Sequence, residues 1–543
     1  MKRDLTRTLR VGAAGALWLT IAATLVTATH AVAQVPERSR SAAAVPATPA
    51  PGSLLAVACP QADPDCVPPT VSREFRGVWV ATVSNIDWPS KPGLPPSLAK
   101  AELVAILDRA AQLGLNAVIF QVRPAADAMY ASKIEPWSEY LTGQQGLPPA
   151  PLWDPLAFAV KEAHTRGLEL HAWFNPYRAK HPSAKHPLAS THIARERPEL
   201  VKKYGKQQLW MDPGEPAVRS RTLNVVLDVV RRYDIDGVHL DDYFYPYPER
   251  RANGSTDFPD DRSWNRYRKK GGTLERADWR RANVNLLIDT LHKAIAKAKP
   301  WVKFGVSPFG IWQPGNPETV VGFNAYEKLY ADSRKWLQEG WVDYFTPQLY
   351  WPMEKAGQRY PELLRWWMEQ DSLRRHMWPG NYTGKVGDGG PTAWHRDEIL
   401  AQVRTTREQQ GAGGNVHFSM KVLLEDRDSV GTALGRILYS EQALVPASPW
   451  MSAPTLGAPA VSVLQAKEDE VVVLTPNAKD VVRWWLVQLK VGGRWESHVF
   501  DGTMRRTPLG ALLRNPLFAP DILAVTAIDR VGNALAPVVL RLR

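Results

Sequence analysis

From Glu74 onward, short apolar runs alternate with amphipathic helical segments, and this alternation limits the possible folds more than any other feature of the sequence. Regular alternation of strand and helix predicts parallel βα units. We count eight predicted strands, each followed by a predicted helix, at residues 75–83, 116–122, 168–175, 235–243, 302–309, 342–350, 376–382 and 415–420. Eight such units across residues 73–445 predict an α/β fold of the (β/α)8 TIM-barrel type. A doubly wound open sheet is the alternative, which the lack of a Gly-x-Gly-x-x-Gly turn after the first strand disfavours.

Beyond Pro454 the sequence pattern changes from alternating strands and helices to short strands alone. Short alternating runs, separated by Gly, Pro, Asn and Asp, occur at residues 461–464, 470–475, 481–490, 494–500, 522–529 and 538–542. This pattern predicts a small β-sandwich over residues 454–543. The segment AIDRVGN (527–533) resembles the last hairpin of fibronectin type III-like modules. We expect such a module to pack, to space or to contact cell-division or other envelope proteins, and not to catalyse.

The first 33 residues have the pattern of a secretory signal peptide. Residues 2–10 are net basic, residues 11–27 are apolar, and Ala31-Val32-Ala33 supplies small residues for cleavage. A retained membrane anchor is the alternative, but the apolar run is short for a span. We therefore expect a periplasmic or secreted protein with no stable membrane insertion after signal cleavage.

Residues 34–72 are rich in Pro, Ala and Ser and show no hydrophobic period, so they predict a linker. The two cysteines of the sequence, Cys59 and Cys66, lie within it. In an oxidising compartment a short loop of this kind is expected to close as a disulfide. Metal binding by this pair is not expected, because no His or further Cys accompanies them at ligand spacing.

The formal net charge of +12 mildly favours an anionic polymer as partner. The basic residues are scattered along the chain, and the densest patch, Arg250-Arg251 together with residues 266–270, is typical of a solvated loop. We therefore expect no nucleic acid as partner, and the charge is compatible with the glycan polymer that the strand-end residues described below indicate.

Residues 233–246, YDIDGVHLDDYFYP, have the pattern of a buried strand that ends in carboxylates and aromatic rings. Side chains alternate along an extended strand, so His239 and Asp241 share one face and the apolar residues beside them lie on the other. In a TIM barrel the chemistry comes from the carboxyl ends of the strands. The pattern therefore predicts an inward-facing catalytic strand with Asp242 at its mouth; the alternative is that both aspartates cap the next turn.

The predicted strand ends carry aromatic, amide, arginine and carboxylate side chains, and they lack a nucleophilic Ser elbow, a Cys and a phosphate loop. Sugar faces stack on Trp and Tyr, and sugar hydroxyls bind amides and Arg. The candidates for substrate binding are Asn85, Asp87, Trp88, Gln121, Arg123, Trp173, Asn175, Arg178, His239, Tyr243, Tyr245, Trp312, Gln348, Tyr350, Trp351 and Asn381. Core packing is the alternative for the tryptophans. The set predicts a carbohydrate site.

Cleavage of a glycosidic bond needs a pair of carboxyl groups. Asp241 is the predicted nucleophile or general base, with its neighbour Asp242 as the alternative. The predicted seventh strand has no carboxylate, so the general acid must come from Asp242, Asp127, Glu354 or Asp87. Glu354 is attractive because the adjacent Trp351 and Pro352 would desolvate it and raise its pKa.

A zinc site is a further alternative, in which His239, Asp241 and Asp242 bind the ion together with His171. Adjacent aspartates in one strand face opposite ways, so they rarely bind the same ion. We expect no metal and no cofactor.

Five stretches resemble the bacterial glycosyl hydrolase-like family 10, in the same order: FRGVWVATVSNIDWPS (75–90), DGVHLDDYFYP (236–246), ADWRRANVN (277–285), VSPFGIW (306–312) and YFTPQLYW (344–351). The resemblance spans residues 73–441. It implies a TIM barrel and a glycosidase of envelope glycan, because the family includes a divisome-localised glycosidase of peptidoglycan strands that lack stem peptides. The alternative is a catalytically inactive barrel that binds carbohydrate at the envelope.

Overall fold

The computed structural model describes residues 56–60, 62–251, 254–466, 469–513 and 518–542. The predicted signal peptide, residues 1–33, lies outside these ranges. Within them, no helix combines the length and the apolar character needed to cross a membrane.

A curled sheet of nine parallel strand segments forms the centre of the first domain. The segments, β1 to β9 along the chain, are Phe75–Val80, Ala117–Arg123, Glu169–Phe174, Gly237–Leu240, Lys303–Val306, Tyr344–Phe345, His376–Met377, Gly380–Asn381 and Gly414–His417. Their order in the sheet is β7-β6-β5-β4-β3-β2-β1-β9-β8. Neighbours along the chain are therefore mostly neighbours in the sheet, as βα units require.

The two outermost segments, β7 and β8, belong to one short stretch of chain, residues 376–381. On one side Trp378 N donates to Phe345 O at 2.9 Å, and on the other Val416 N donates to Pro379 O at 3.0 Å. Because the same stretch pairs with β6 and with β9, the two ends of the sheet meet there.

Helices follow the strands along the chain. They span Pro96–Gln112, Pro155–Thr165, Pro216–Arg232, Arg276–Ala298, Ala325–Lys328, Ser333–Gln338, Tyr360–Gln370, Arg396–Glu408 and Val430–Ala433. The start at Pro155 illustrates the local cause: Asp154 accepts hydrogen bonds from Leu156 N and Ala157 N, which have no partner within the helix. The apolar faces of these helices pack on the outer face of the sheet.

Two glycines shape the inside of the curled sheet. A Cβ atom at Gly237 would lie 2.4 Å from the His171 ring, and one at Gly305 would lie 2.1 Å from the Tyr344 ring. The rings of β3 and β6 therefore fill the space that β4 and β5 leave free. Glycine is needed at these two positions for close packing.

The C-terminal domain has two antiparallel sheets. The larger contains, in order, Ala56–Ala58, Val538–Leu542, Ile522–Ile528, Trp484–Val491 and Arg494–Asp501; the smaller contains Ala460–Ala466, Asp469–Thr475 and Arg506–Pro508. Their facing side chains form one apolar core that includes Val463, Val472, Leu474, Trp485, Val487 and Val525. The arrangement is an all-β sandwich.

Part of the predicted linker belongs to this sandwich. Ala56–Ala58 pairs antiparallel with Val538–Leu542 at the edge of the larger sheet. Cys59 and Cys66, just beyond, are joined by a disulfide with their Cα atoms 5.9 Å apart. A strand of three residues is too short to show a hydrophobic period, so the sequence pattern did not distinguish it from linker.

Candidate active site

Asp241 and Asp242 follow directly after β4, at the carboxyl edge of the curled sheet. Each is only 4% exposed. Both line a pocket of about 400 Å3 whose wall contains eight of the predicted site residues: Gln121, Trp173, Arg178, Asp241, Asp242, Tyr243, Gln348 and Tyr350. The structure thus brings predicted site residues from four of the strand ends, those of β2, β3, β4 and β6, to one place.

Asp241 is held by side chains from β3 and the residues after it. Trp173 Nε1 donates to Oδ2 at 3.1 Å, and Asn175 Nδ2 lies 3.2 Å from both carboxyl oxygens. Asn175 is itself fixed, because its Oδ1 accepts from Arg178 N at 2.8 Å. The orientation of the Asp241 carboxyl group is therefore set by the neighbouring strand.

Asp242 is held by a different set of donors. Gln348 Nε2, which follows β6, donates to Oδ1 at 3.0 Å, and the Tyr247 hydroxyl donates to Oδ2 in a short hydrogen bond. Gln348 Nε2 also donates to Ser307 O at 3.0 Å. The two adjacent carboxyl groups thus have separate sets of donors and point to different neighbours.

Burial dominates the acidity of both groups. It raises the pKa of Asp241 to about 7, with a further rise from the Asp242 carboxylate and an opposing effect from the Arg178 guanidinium. Burial also raises the pKa of Asp242, against the hydrogen bonds from Tyr247 and Gln348. Carboxyl groups with raised pKa values can carry a proton near neutral pH, as a general acid must.

A chain of hydrogen bonds lies beneath the pocket floor. Trp79 Nε1 donates to His239 Nε2 at 3.2 Å, so the His239 proton is on Nδ1 and faces the Tyr344 hydroxyl at 3.1 Å. Tyr344 then donates to His171 Nδ1 at 2.9 Å, and His171 Nε2 donates to Glu169 at 3.0 Å. Lys303 Nζ completes the chain at 2.9 Å from Glu169 Oε1. Burial lowers the pKa of His239 well below its usual range, so this ring is neutral.

Aromatic rings form the remaining walls. Tyr350 and Tyr382 stack with centroids 5.0 Å apart and planes at 29°. The Arg178 guanidinium lies 4.2 Å from the centroid of Tyr243. Gln121 is fully buried; its Oε1 accepts from Thr82 N and Val83 N, while its Nε2 has no hydrogen-bond partner within the described residues. The pocket thus offers stacking surfaces and one guanidinium, and one buried amide nitrogen in its wall has no hydrogen-bond partner within the described residues.

Three candidate carboxyl groups are placed outside the pocket wall. The Glu354 side chain is 77% exposed and pairs with Arg359 at 2.7 Å. Asp127 is buried and accepts from Ala125 N at 3.1 Å. Asp87 accepts from Ala81 N and Ser419 Oγ, both at 2.7 Å, and so joins β1 to the residues after β9.

Six candidates for substrate binding also lie elsewhere. Trp88 is fully buried and donates to Ala99 O; Tyr245 is buried against Phe258. Arg123 forms a buried ion pair with Glu135, at 2.6 Å. The other three are Asn85, which donates to Pro89 O and Tyr140 O, Trp312, which stacks on Trp366, and Asn381, which donates to Gln402.

Two further candidates lie close behind the wall. His239 contacts the wall residues Trp79 and Ser307, and Trp351 packs edge-on against Phe309, with centroids 5.5 Å apart. Together with Asn175, they support the pocket from outside.

Sequence reasoning did not select several residues of the pocket wall, among them Trp79, His181, Tyr247, Phe309 and Phe418. The alternation of side chains along β1 could have found Trp79, which faces inward. The approach of Tyr247 to Asp242 depends on the path of the turn after β4, and no local pattern gives that path.

No group of three or more His, Cys, Asp and Glu side chains within the described ranges could hold a metal ion. The reason is visible at the proposed zinc ligands: both nitrogens of His171 and of His239 are engaged by hydrogen bonds below the pocket floor.

A curled parallel sheet with carboxyl groups and aromatic rings in a pocket at its carboxyl edge is an arrangement that glycoside hydrolases use. The family model described as Glycosyl hydrolase-like 10 matches residues 74–390. The chain is 42% identical over 388 residues to glycosyl hydrolase YngK of Bacillus subtilis (strain 168), a match that covers 70% of this chain and 74% of that protein. The chain therefore belongs to the glycosyl hydrolase-like 10 family.

Two other matches illustrate the range of similarity. Glycosyl hydrolase DigH of Escherichia coli (strain K12) is 36% identical over 399 residues, which cover 69% of this chain and 84% of that protein. The solved structure of the PgaB (BpsB) glycoside hydrolase domain from Bordetella bronchiseptica aligns with 12% identity and a TM-score of 0.45, covering 67% of this chain and 98% of that chain.

Proposed function

We propose that this (β/α)8 barrel hydrolyses glycosidic bonds in an envelope glycan, and that its substrate is peptidoglycan strands without stem peptides. The observation that carries the proposal is the pair of buried carboxyl groups, Asp241 and Asp242, in a pocket with aromatic walls. Carboxyl groups with raised pKa values supply acid and base catalysis, and aromatic rings stack on sugar faces. The catalytic pair is Asp241 and Asp242, and the wall residues bind the glycan.

Charge and export support the choice of substrate. The lactyl groups of peptidoglycan strands are carboxylates, which suit a basic chain whose net charge of +12 includes +3 from the predicted signal peptide (Lys2, Arg3, Arg7 and Arg10 against Asp4). They also suit the Arg178 guanidinium in the pocket wall. The predicted signal peptide would deliver the chain to the periplasm or the medium. The sandwich is proposed to be a fibronectin type III-like module that contacts envelope or cell-division proteins.

Mass spectrometry of the soluble products tests the proposal. The chain from Gln34 onward is incubated with peptidoglycan strands stripped of peptides, beside its Asp241→Asn and Asp242→Asn variants. We expect short saccharides from the wild type and at least a hundredfold fewer from each variant. Asp127→Asn serves as the matched control, because this buried carboxyl lies outside the pocket wall, and it should release wild-type amounts.

The same experiment separates an enzyme from an inactive binder. Binding of the strands by the wild type without any release of saccharides would overturn the proposed hydrolysis and favour the carbohydrate-binding barrel. Equal product yields from wild type and both variants would remove the aspartate pair from the mechanism.

A further inference from the structure

The two carboxyl groups of the pocket come from consecutive residues at the end of one strand. Of the described residues that line the pocket, only Asp241 and Asp242 are acidic. Glu354 pairs with Arg359 at the surface, and both oxygens of Asp87 are occupied by donors from β1 and from the residues after β9. Among the residues that the structure describes, no other carboxyl group lines the pocket opposite the aspartate pair.

This arrangement conflicts with the usual ways of cleaving a glycosidic bond. With two protein carboxyl groups, one protonates the leaving oxygen while the other, as nucleophile or as base for water, acts from the opposite face of the sugar. Consecutive residues have Cα atoms only about 3.8 Å apart and emerge from the same wall. The rest of the wall is largely aromatic and amide, including Trp79, Tyr350, Tyr382 and Phe418.

We propose that the substrate supplies the nucleophile, as the carbonyl oxygen of a 2-acetamido group on the sugar bound next to the scissile bond. This inference rests on the proposed function and adds that the 2-acetamido group of the substrate takes part in the reaction. The anchored pair then has two different tasks on one side of the ring. Asp241 binds the amide N–H, and Asp242 exchanges a proton with the leaving oxygen.

The proposed reaction has two steps. The acetamido oxygen bonds to C1 while the bond from C1 to the glycosidic oxygen breaks, and the Asp242 proton passes to that oxygen. The product is a cyclic oxazolinium whose N–H donates to the Asp241 carboxylate. Water then attacks C1, gives a proton to Asp242 and reopens the ring, so the configuration at C1 is retained.

The anchoring of each aspartate suits its task. Asp241 must hold a fixed acceptor against the amide, and Trp173 and Asn175 restrain both of its oxygens. Asp242 must alternate between acid and base. Each of its carboxyl oxygens accepts one hydrogen bond, Oδ2 from Tyr247 and Oδ1 from Gln348, so the group is held in place by two separate loops.

Matched glycans that differ only at C2 test the inference. Strands with intact 2-acetamido groups are compared with the same strands after chemical N-deacetylation, and the anomer first released is read by NMR. We expect at least a hundredfold lower kcat on deacetylated strands, retention at C1, and inhibition by a sugar-fused thiazoline that mimics the oxazolinium. Cleavage of both strands at similar kcat, or inversion at C1, would overturn the inference while leaving the glycosidase intact. No cleavage of either strand would remove the proposed function and this inference with it.

Variants separate the two roles. An aryl glycoside with a good leaving group does not need protonation by an acid. The activity of Asp242→Asn relative to the wild type should therefore be at least tenfold higher on this substrate than on the glycan strands. The relative activity of Asp241→Asn should be equally low on both substrates. Thermal melting establishes that both variants are folded. Equal recovery of the two variants would contradict the assigned division of roles.

Discussion

Arg483 of the sandwich donates two hydrogen bonds to Asp236 of the barrel, from Nε to Oδ1 at 2.8 Å and from Nη2 to Oδ2 at 2.9 Å. Asp236 directly precedes β4 and also contacts His164 at 2.9 Å and Leu170 N at 2.8 Å. Arg483 and Asp236 are both buried. The sandwich therefore binds the residue that precedes β4, the strand directly followed by the two pocket aspartates.

We expect Arg483→Ala to lower the free energy of unfolding by about 3–5 kcal/mol, because it leaves Asp236 as a buried charge without its main partner. Denaturant unfolding followed by tryptophan fluorescence measures the change. Arg530→Ala is the matched control: it removes another pair between sandwich and barrel, but Asp234, the partner, is 49% exposed. That loss should be at most about 1 kcal/mol. Equal losses in the two variants would contradict a structural role for the Arg483 pair.

We expect Asp127→Asn to stabilise the protein at pH 8 and to leave turnover unchanged. Burial raises the pKa of Asp127 to about 7, above the value of 3.8 for an exposed Asp. The folded state thus binds a proton that the unfolded state releases between pH 4 and 7, and stability falls as pH rises through that window. The amide removes this dependence, so unfolding at pH 8 should cost about 1–3 kcal/mol more than in the wild type, with little difference at pH 4. Loss of turnover would instead return Asp127 to the catalytic candidates.

Most of the fold could be predicted because strand and helix periodicity are local properties. Residues 376–382 were predicted as one strand, and the structure splits them at Trp378 and Pro379 without changing their place. The site was harder to predict. Trp88 and Glu354 both follow strand ends in the sequence, yet Trp88 turns into the core and Glu354 into solvent. The direction of a side chain after a strand depends on tertiary packing, which periodicity does not encode.

We expect Tyr344→Phe to destabilise the protein by about 1–3 kcal/mol, because the lost hydroxyl leaves two buried imidazole nitrogens, on His171 and His239, without their partner. Tyr245→Phe is the control, since the Tyr245 hydroxyl is buried without a hydrogen-bond partner in the described residues and its removal should be neutral or stabilising. Thermal melts of the two variants decide the matter. A similar loss in both would show that ring packing, and not the hydrogen-bond chain, matters here.

The proposed role of Asp241 as a carboxylate predicts a pH effect. Its pKa of about 7 means that kcat/KM should rise as pH increases toward 7 and Asp241 ionises. The Arg178 guanidinium opposes the rise in that pKa, so Arg178→Gln should move this acidic limb to higher pH. Lys293→Ala, an exposed change on the helix Arg276–Ala298, should leave the profile in place. An unchanged limb in Arg178→Gln would argue that another group titrates.

The edge strand Ala56–Ala58 pairs with Val538–Leu542, so residues separated by almost the whole chain complete one sheet. A nascent chain cannot finish that sheet until residues 538–542 have been made. The barrel residues are synthesised before the sandwich residues. The Asp236 carboxylate, which precedes β4, therefore has no Arg483 to pair with until residue 483 has been made. The strand that precedes the two pocket aspartates therefore has its full set of contacts only when the C-terminal sandwich is present.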